Sequence, residues 1–216
     1  MNTKLLSLIA LTSLLAAGCG GGGSSSNSSP LPTTPPPAPA PTPTPSKLAA
    51  YLGTWEAACD GHELAIITVT ETPNVSDSID VAIKSEYFMN KGCTGAIVGT
   101  ETLSAKFNAV HNGIADAGVV FTRGTPSVTT RIDLITVRSP AYTMSIEGSG
   151  VVRTIKDGRA QWCMTFAAGS SMCVYDNGTV AAEGPTSAGM YASGNKMYTL
   201  TPNGSLYAAD EVYTKR

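Results

Sequence analysis

The side chains with the most distinctive chemistry in this sequence are its five cysteines. Cys19 stands alone near the N-terminus, and Cys59, Cys93, Cys163 and Cys173 follow in the body of the chain. In an exported chain thiols oxidise, so an even set of four reads as two disulfides with three alternative connectivities. Turns bring neighbours together in an antiparallel meander, which favours Cys59 with Cys93 and Cys163 with Cys173. Each bridge restricts the unfolded chain by roughly 3 to 4 kcal/mol in the loop-entropy picture. The competing chemistry is a metal centre drawn from Cys59, His62, Cys93 and His111. Structural zinc sites pair their ligands at short spacing at both ends, whereas Cys93 and His111 lie eighteen residues apart. No metal and no other cofactor is expected.

Catalytic patterns are absent. His62-Glu63-Leu64-Ala65-Ile66 opens like the zinc-protease H-E-x-x-H, but Ile66 stands where the second ligand belongs, so two imidazoles cannot meet on one helix face. The segment reads as the start of a strand. Gly169-Ser170-Ser171 and Ser187-Ala188-Gly189 lack the flanking glycines of a nucleophile elbow. Sixteen acidic residues are scattered singly, and two of them meeting in space as acid and base is the remaining route to a hydrolase without a recognisable motif. A non-enzyme with no catalytic residue is the expectation. The formal charge of −2, with no basic run, also leaves no electrostatic footprint for nucleic acid.

The elements that position these groups begin with an address. Lys4 is followed by an apolar run from Leu5 to Leu15 and then by Ala16-Ala17-Gly18 ahead of Cys19, the layout of a secretory signal peptide over residues 1–18 rather than of a spanning helix. The small residues against that cysteine resemble the lipobox of bacterial lipoproteins. The resemblance implies cleavage before Cys19, acylation of its thiol and new amine, and anchoring of the mature chain to a membrane. Two or three acyl chains hold essentially permanently, since each buried methylene adds about 0.8 kcal/mol. Gly20 after the cysteine is similar to the class sorted to the outer membrane, with the domain facing the periplasm or the cell surface.

Residues 19–46 read as the lipidated cysteine plus a linker. A Gly/Ser/Asn run gives way at Pro30 to a Pro/Thr/Ala run that holds nine of the fourteen prolines and no charge or aromatic ring. Such a composition buries too little apolar surface to offset its ordering entropy. The expectation is a disordered, semi-rigid spacer with polyproline II character, on the order of 50 Å long.

Residues 47–216 suffice for one domain. Asp60-Gly61, Pro73-Asn74, Lys91-Gly92, Asn112-Gly113, Asp157-Gly158, Asn177-Gly178, Gly194-Asn195 and Asn203-Gly204 punctuate it with turn chemistry. Between them, apolar and polar residues alternate: Ile79, Val81, Ile83, Ser85 and Tyr87 share one face of a run, as do Tyr142, Met144 and Ile146, and Ala160, Trp162, Met164 and Phe166. The spacing predicts an all-β domain of nine to eleven antiparallel strands, as a barrel or a sandwich. The only helical segment expected is 47–52, with Ser46 as N-cap.

The run Ser46-Lys47-Leu48-Ala49-Ala50-Tyr51-Leu52-Gly53-Thr54-Trp55 resembles the N-terminal signature of the lipocalin (calycin) family, in which a short helix leads into a G-x-W motif. The resemblance implies a single eight-stranded barrel whose closed end is plugged by Trp55. It also implies that a basic residue near the C-terminus, Arg216 or Lys215, lies across the indole in a cation–π contact. Gly53, Trp55 and Arg216 are then the structural motif. A barrel of this size holds a small apolar ligand, here against residues such as Tyr87, Met144, Trp162 and Phe166. The alternative is an interaction or inhibitor module of the envelope, presenting Tyr191, Tyr198, Tyr207 and Tyr213 to a protein partner.

Overall fold

Period-two alternation drives this chain into strands, and the Gly- and Asn-bearing pairs between the runs close hairpins. The computed structural model describes residues 46–216. The leader, Cys19 and the linker as far as residue 45 lie outside the described residues. The strands are β1 (Gly53–Ala57), β2 (Glu63–Glu71), β3 (Ser78–Asn90), β4 (Thr94–Leu103), β5 (Phe107–Val120), β6 (Val128–Ser139) and β7 (Tyr142–Glu147). There follow β8 (Val151–Lys156), β9 (Arg159–Thr165), β10 (Ser171–Tyr175), β11 (Thr179–Val180), β12 (Glu183–Ser193), β13 (Lys196–Asn203) and β14 (Leu206–Lys215).

Eleven strands make one large antiparallel sheet in the order β11-β7-β4-β3-β2-β1-β14-β13-β12-β6-β5, and β10-β9-β8 make a second, small one. The large sheet turns back on itself. The first residues of β3, Ser78 to Val81, pair with Val110 to Phe107 of β5, while the far half of β3, from Lys84 to Asn90, pairs with β4. Hydrogen bonding that leaves β3 through β2 therefore returns to it through β1, β14, β13, β12, β6 and β5. A second return is parallel, where Tyr207 and Ala208 of β14 meet Val119 and Val120 of β5.

The all-β class matches the expectation; the single barrel does not describe the whole. β4, β7, β11 and the three-stranded sheet stand outside the returning path, so fourteen strands replace the nine to eleven expected among the described residues. One expected turn is also absent. Asn112-Gly113 lies inside β5, where the register with β6 slips between His111 and Gly113 and Gly113 has φ +141°. Glycine tolerates a positive φ in a bulge as readily as in a tight turn, so one dipeptide fits both. The expected helix shrinks to a 3-10 turn, Ala49–Tyr51, whose N-cap is Leu48 and not the expected Ser46; the Ser46 Oγ accepts the Leu48 N–H at 3.2 Å, ahead of the turn.

Three apolar clusters hold these layers. Leu48, Tyr51, Trp55, Ile67, Val69, Ile79, Ala109, Ile135, Met190 and Met197 form the first. Val119, Ile132 and Leu200 form another, flanked by Phe121, Leu134, Tyr191, Tyr198 and Tyr207. Ile135 and Ile132 lie on opposite faces of β6, as Met197 and Leu200 do on β13, so these central strands are buried on both sides. The third cluster, Tyr87, Val98, Ile146, Met164 and Phe166, joins β3 and β4 to the small sheet. Each fully buried large side chain contributes about 1.5 to 3 kcal/mol.

Candidate functional site

One end of the returning sheet is closed by the segment before β1. Leu48 and Tyr51 are buried beneath it, and the chain then enters β1 through Gly53 at φ +123°, a conformation that side-chain-bearing residues avoid. Trp55 is 1% exposed, and its Nε1–H donates to the Tyr51 carbonyl at 2.8 Å. The Lys215 ammonium lies 5.2 Å from the indole centroid, within cation–π range. A side chain at position 53 would find room, its Cβ in ordinary contact with Lys215 Cε at 3.4 Å, so it is the backbone φ that calls for glycine here. The basic residue over the tryptophan is therefore Lys215, not Arg216. Alternation along β14 turns Arg216 to the other face, where Nε pairs with Glu56 Oε2 at 3.3 Å.

Polar groups latch this closing segment to the wall. Tyr51 Oη–H donates to Asp133 Oδ2 at 2.5 Å, and His111 Nε2 lies 3.2 Å from Asp133 Oδ1 with the imidazole side chain 5% exposed. Burial first, and then the bond to Asp133, hold the Tyr51 phenol far above its ordinary range. Lys47 Nζ pairs with Asp77 Oδ2 at 2.9 Å, and hydrogen bonding from Lys47 keeps the Asp77 carboxyl below its usual range.

Further along the same face of β3 the wall becomes polar. Glu63 of β2 stands opposite Tyr87 and Glu101 of β4 opposite Ser85, so two carboxylates flank the hydroxyls of β3 on one face. Ser85 Oγ–H donates to Glu63 Oε1 at 2.8 Å, and Tyr87 Oη–H donates to Glu101 Oε2 at 2.8 Å. Burial raises the Glu101 carboxyl, the bond from Tyr87 opposes the rise, and the Glu63 charge adds to it. The buried Tyr87 phenol is driven far up by desolvation and by both carboxylates. The inward residues between this polar level and the closed end, Val81, Ile83, Val137 and Ala188, are only half-buried against the first cluster.

The disulfides are the pair expected. Cys59 bonds Cys93 and Cys163 bonds Cys173, the latter directly across the β9–β10 ladder. Among the described residues no group of three His, Cys, Asp or Glu side chains is placed to hold a metal. Of the four residues expected to line a ligand space, three share one packed cluster and Met144 stands apart. Tyr87 and Phe166 fill the third cluster with Trp162 at its edge, and Phe166 stacks on His62 at 4.0 Å. Met144 lies on β7 opposite Leu103. The tyrosines expected at a surface are half-buried, each with one side against an apolar cluster. Tyr191 and Tyr198 meet Phe121 at 5.4 and 4.9 Å, Tyr207 joins the same cluster, and Tyr213 flanks the first. The Glu63–Ser85 and Tyr87–Glu101 pairs carried no sequence motif; only the placing of Ser85 and Tyr87 on the inward face of β3 pointed to them. No family model, no curated protein and no solved structure matches this chain.

Proposed function

We propose that the chain is a lipid-anchored lipoprotein of the bacterial envelope whose β domain is a lipocalin-like barrel that binds a small, mainly apolar ligand without catalysing its conversion. The arrangement at the closed end is the observation on which this reading rests: a buried tryptophan on the first strand, a glycine two residues earlier with positive φ, and a C-terminal lysine across the indole. It is supported by the sequence of pairings through β1, β2, β3, β5, β6, β12, β13 and β14, eight antiparallel neighbours in chain order, which is the connectivity of an up-and-down barrel. β4 and the strands β7 to β11 are then insertions beside its open end. The half-buried Val81, Ile83, Val137 and Ala188 supply an apolar wall, and Glu63, Ser85, Tyr87 and Glu101 supply the few polar groups that orient a ligand in such a space.

Native mass spectrometry of the full chain, extracted from its own host in mild detergent, tests the ligand. A co-purifying small mass is expected, and repeated recovery of bare protein would defeat the ligand reading. Detergent phase partitioning tests the anchor separately. The chain is expected in the detergent phase; wild-type protein in the aqueous phase excludes acyl anchoring.

A second reading, a protein-interaction module, rests on the β8–β9 hairpin, where Val152 is 61% and Ile155 78% exposed on a strand with β9 as its only partner in the small sheet.

A further inference from the structure

β14 changes partner partway along its length. Ala57, Glu56 and Trp55 of β1 pair with Tyr213, Thr214 and Lys215, but the start of β14 pairs with β5. β1 stops at Ala57, and the chain beyond it is drawn toward the β3–β4 turn by the Cys59–Cys93 bridge and by the Gly92 N–H donating to the Gly61 carbonyl at 2.7 Å. A cleft of about 570 Å³ opens where the two diverge, with Ala57, Ala58, Leu64, Val212 and the disulfide as its apolar lining. That volume lies within the range of small-ligand sites.

Three polar side chains complete it in a row. Glu56 and Lys196 both stand opposite Thr214 in register, one on β1 and the other on β13, so all three project from the same face. Two strand spacings separate the backbones that carry Glu56 and Lys196, about 10 Å. Arg216 meets one carboxylate oxygen of Glu56, while no ion pair is formed by Lys196 with any described carboxylate.

We propose that this cleft binds a short peptide with both termini free and small apolar side chains. Its carboxylate sits on Lys196, its ammonium on Glu56, and its middle over Thr214 and Val212. An extended tripeptide spans about 10 Å at 3.3–3.6 Å per residue, which matches the separation of the two strands that carry the charged side chains. Charge complementarity at both ends selects a zwitterion of that length over a fatty acid or an amine, each of which answers only one end. The site is on the outer wall of the sheet and is independent of a ligand in the interior.

Amide NMR of the full chain in detergent micelles, titrated with trialanine and with trialanine amide, tests it. Trialanine is expected to give saturable shifts at Val212, Thr214 and Lys196, weakening with salt, and the amide to bind five- to tenfold more weakly. Lys196→Gln should weaken trialanine by the same factor and leave the amide unaffected. Absence of saturable shifts up to the solubility limit, equal affinity of acid and amide for the wild-type chain, or an unaltered trialanine affinity in a folded Lys196→Gln chain each overturns the proposal. The acid-to-amide comparison needs no variant, so it decides the matter even if the substitution harms folding.

Discussion

Glu101 shows how one buried carboxylate sets a pH dependence. Burial and the Glu63 charge raise its pKa, with Tyr87's hydrogen bond only partly opposing. A raised folded pKa stabilises the fold fully below the ordinary glutamate value, about 4.3, and that stability is lost as pH rises through the folded value. At neutral pH the ionised group therefore costs stability. Glu101→Gln keeps an acceptor for Tyr87 and removes the charge, so it should stabilise the domain at pH 7 and have no such effect near pH 4. Urea melts at the two pH values check this, and an equal effect at both would refute it. The buried tyrosines act at the other extreme. Tyr213 is pushed up to about 12 by burial and by its acidic neighbours, and Tyr51 and Tyr87 go higher. Their contribution is complete below the ordinary phenol value near 10 and is lost as pH climbs past it, so the fold should fail above pH 10. Phenolate absorbance and loss of the β circular-dichroism signal should then rise together; phenols titrating in an intact fold would contradict the burial.

At the scale of elements, two joints govern where strands go. The closed end depends on Gly53 and Lys215. Lys215→Ala removes the cation over Trp55 and should cost about 1 kcal/mol. Gly53→Ala should cost more, because φ +123° is strained for alanine whatever space it has. Thermal melts that rank the two in the opposite order would mean that the lysine, not the backbone, limits this joint. The second joint is Asn108, whose Nδ2 lies 2.9 Å from Ser78 Oγ and 3.0 Å from both Thr72 Oγ1 and Asp80 Oδ1. It ties the β2–β3 turn to β5 just where β3 passes from β5 to β4. Ser78 is 1% exposed, so truncation leaves a buried hydroxyl with fewer partners. Asn108→Ala should cost about 2 kcal/mol and speed amide exchange along Ser78 to Val81; a loss spread evenly over the domain would argue against a local joint.

Over the whole molecule the two bridges have unequal reach. Cys59–Cys93 spans 34 residues and ties the β1–β2 hairpin to the β3–β4 turn, whereas Cys163–Cys173 spans 10 and stays within one ladder. Loop entropy assigns about 4 and 3 kcal/mol to them, similar sums with different consequences. Replacing Cys59 and Cys93 by serine should lower the melting temperature of the entire domain. Replacing Cys163 and Cys173 should loosen exchange chiefly in β8, β9 and β10, which reach the rest through one apolar cluster. Global unfolding from the second pair would show that the small sheet is no separate unit.

Much of this was legible in the residues themselves. Strand faces such as Ile79 to Tyr87, the hairpins at Asp157-Gly158 and Asn203-Gly204, and both cysteine pairings follow from alternation, turn chemistry and chain proximity, which are local properties. The sequence alone also determined the all-β class, while the burial of Trp55 beside a C-terminal cation was only what the resemblance to the lipocalin signature implied. Only the tertiary structure decided that the cation is Lys215, that Asn112-Gly113 bulges a strand instead of ending it, that β14 serves three neighbours, and that Glu63 and Glu101 converge on β3. Alternation tells which side chains share a face, but both faces of β6 and β13 are buried, and strand partners come from anywhere in the chain. Which surfaces meet is settled by packing among distant segments, a quantity no local run of residues contains.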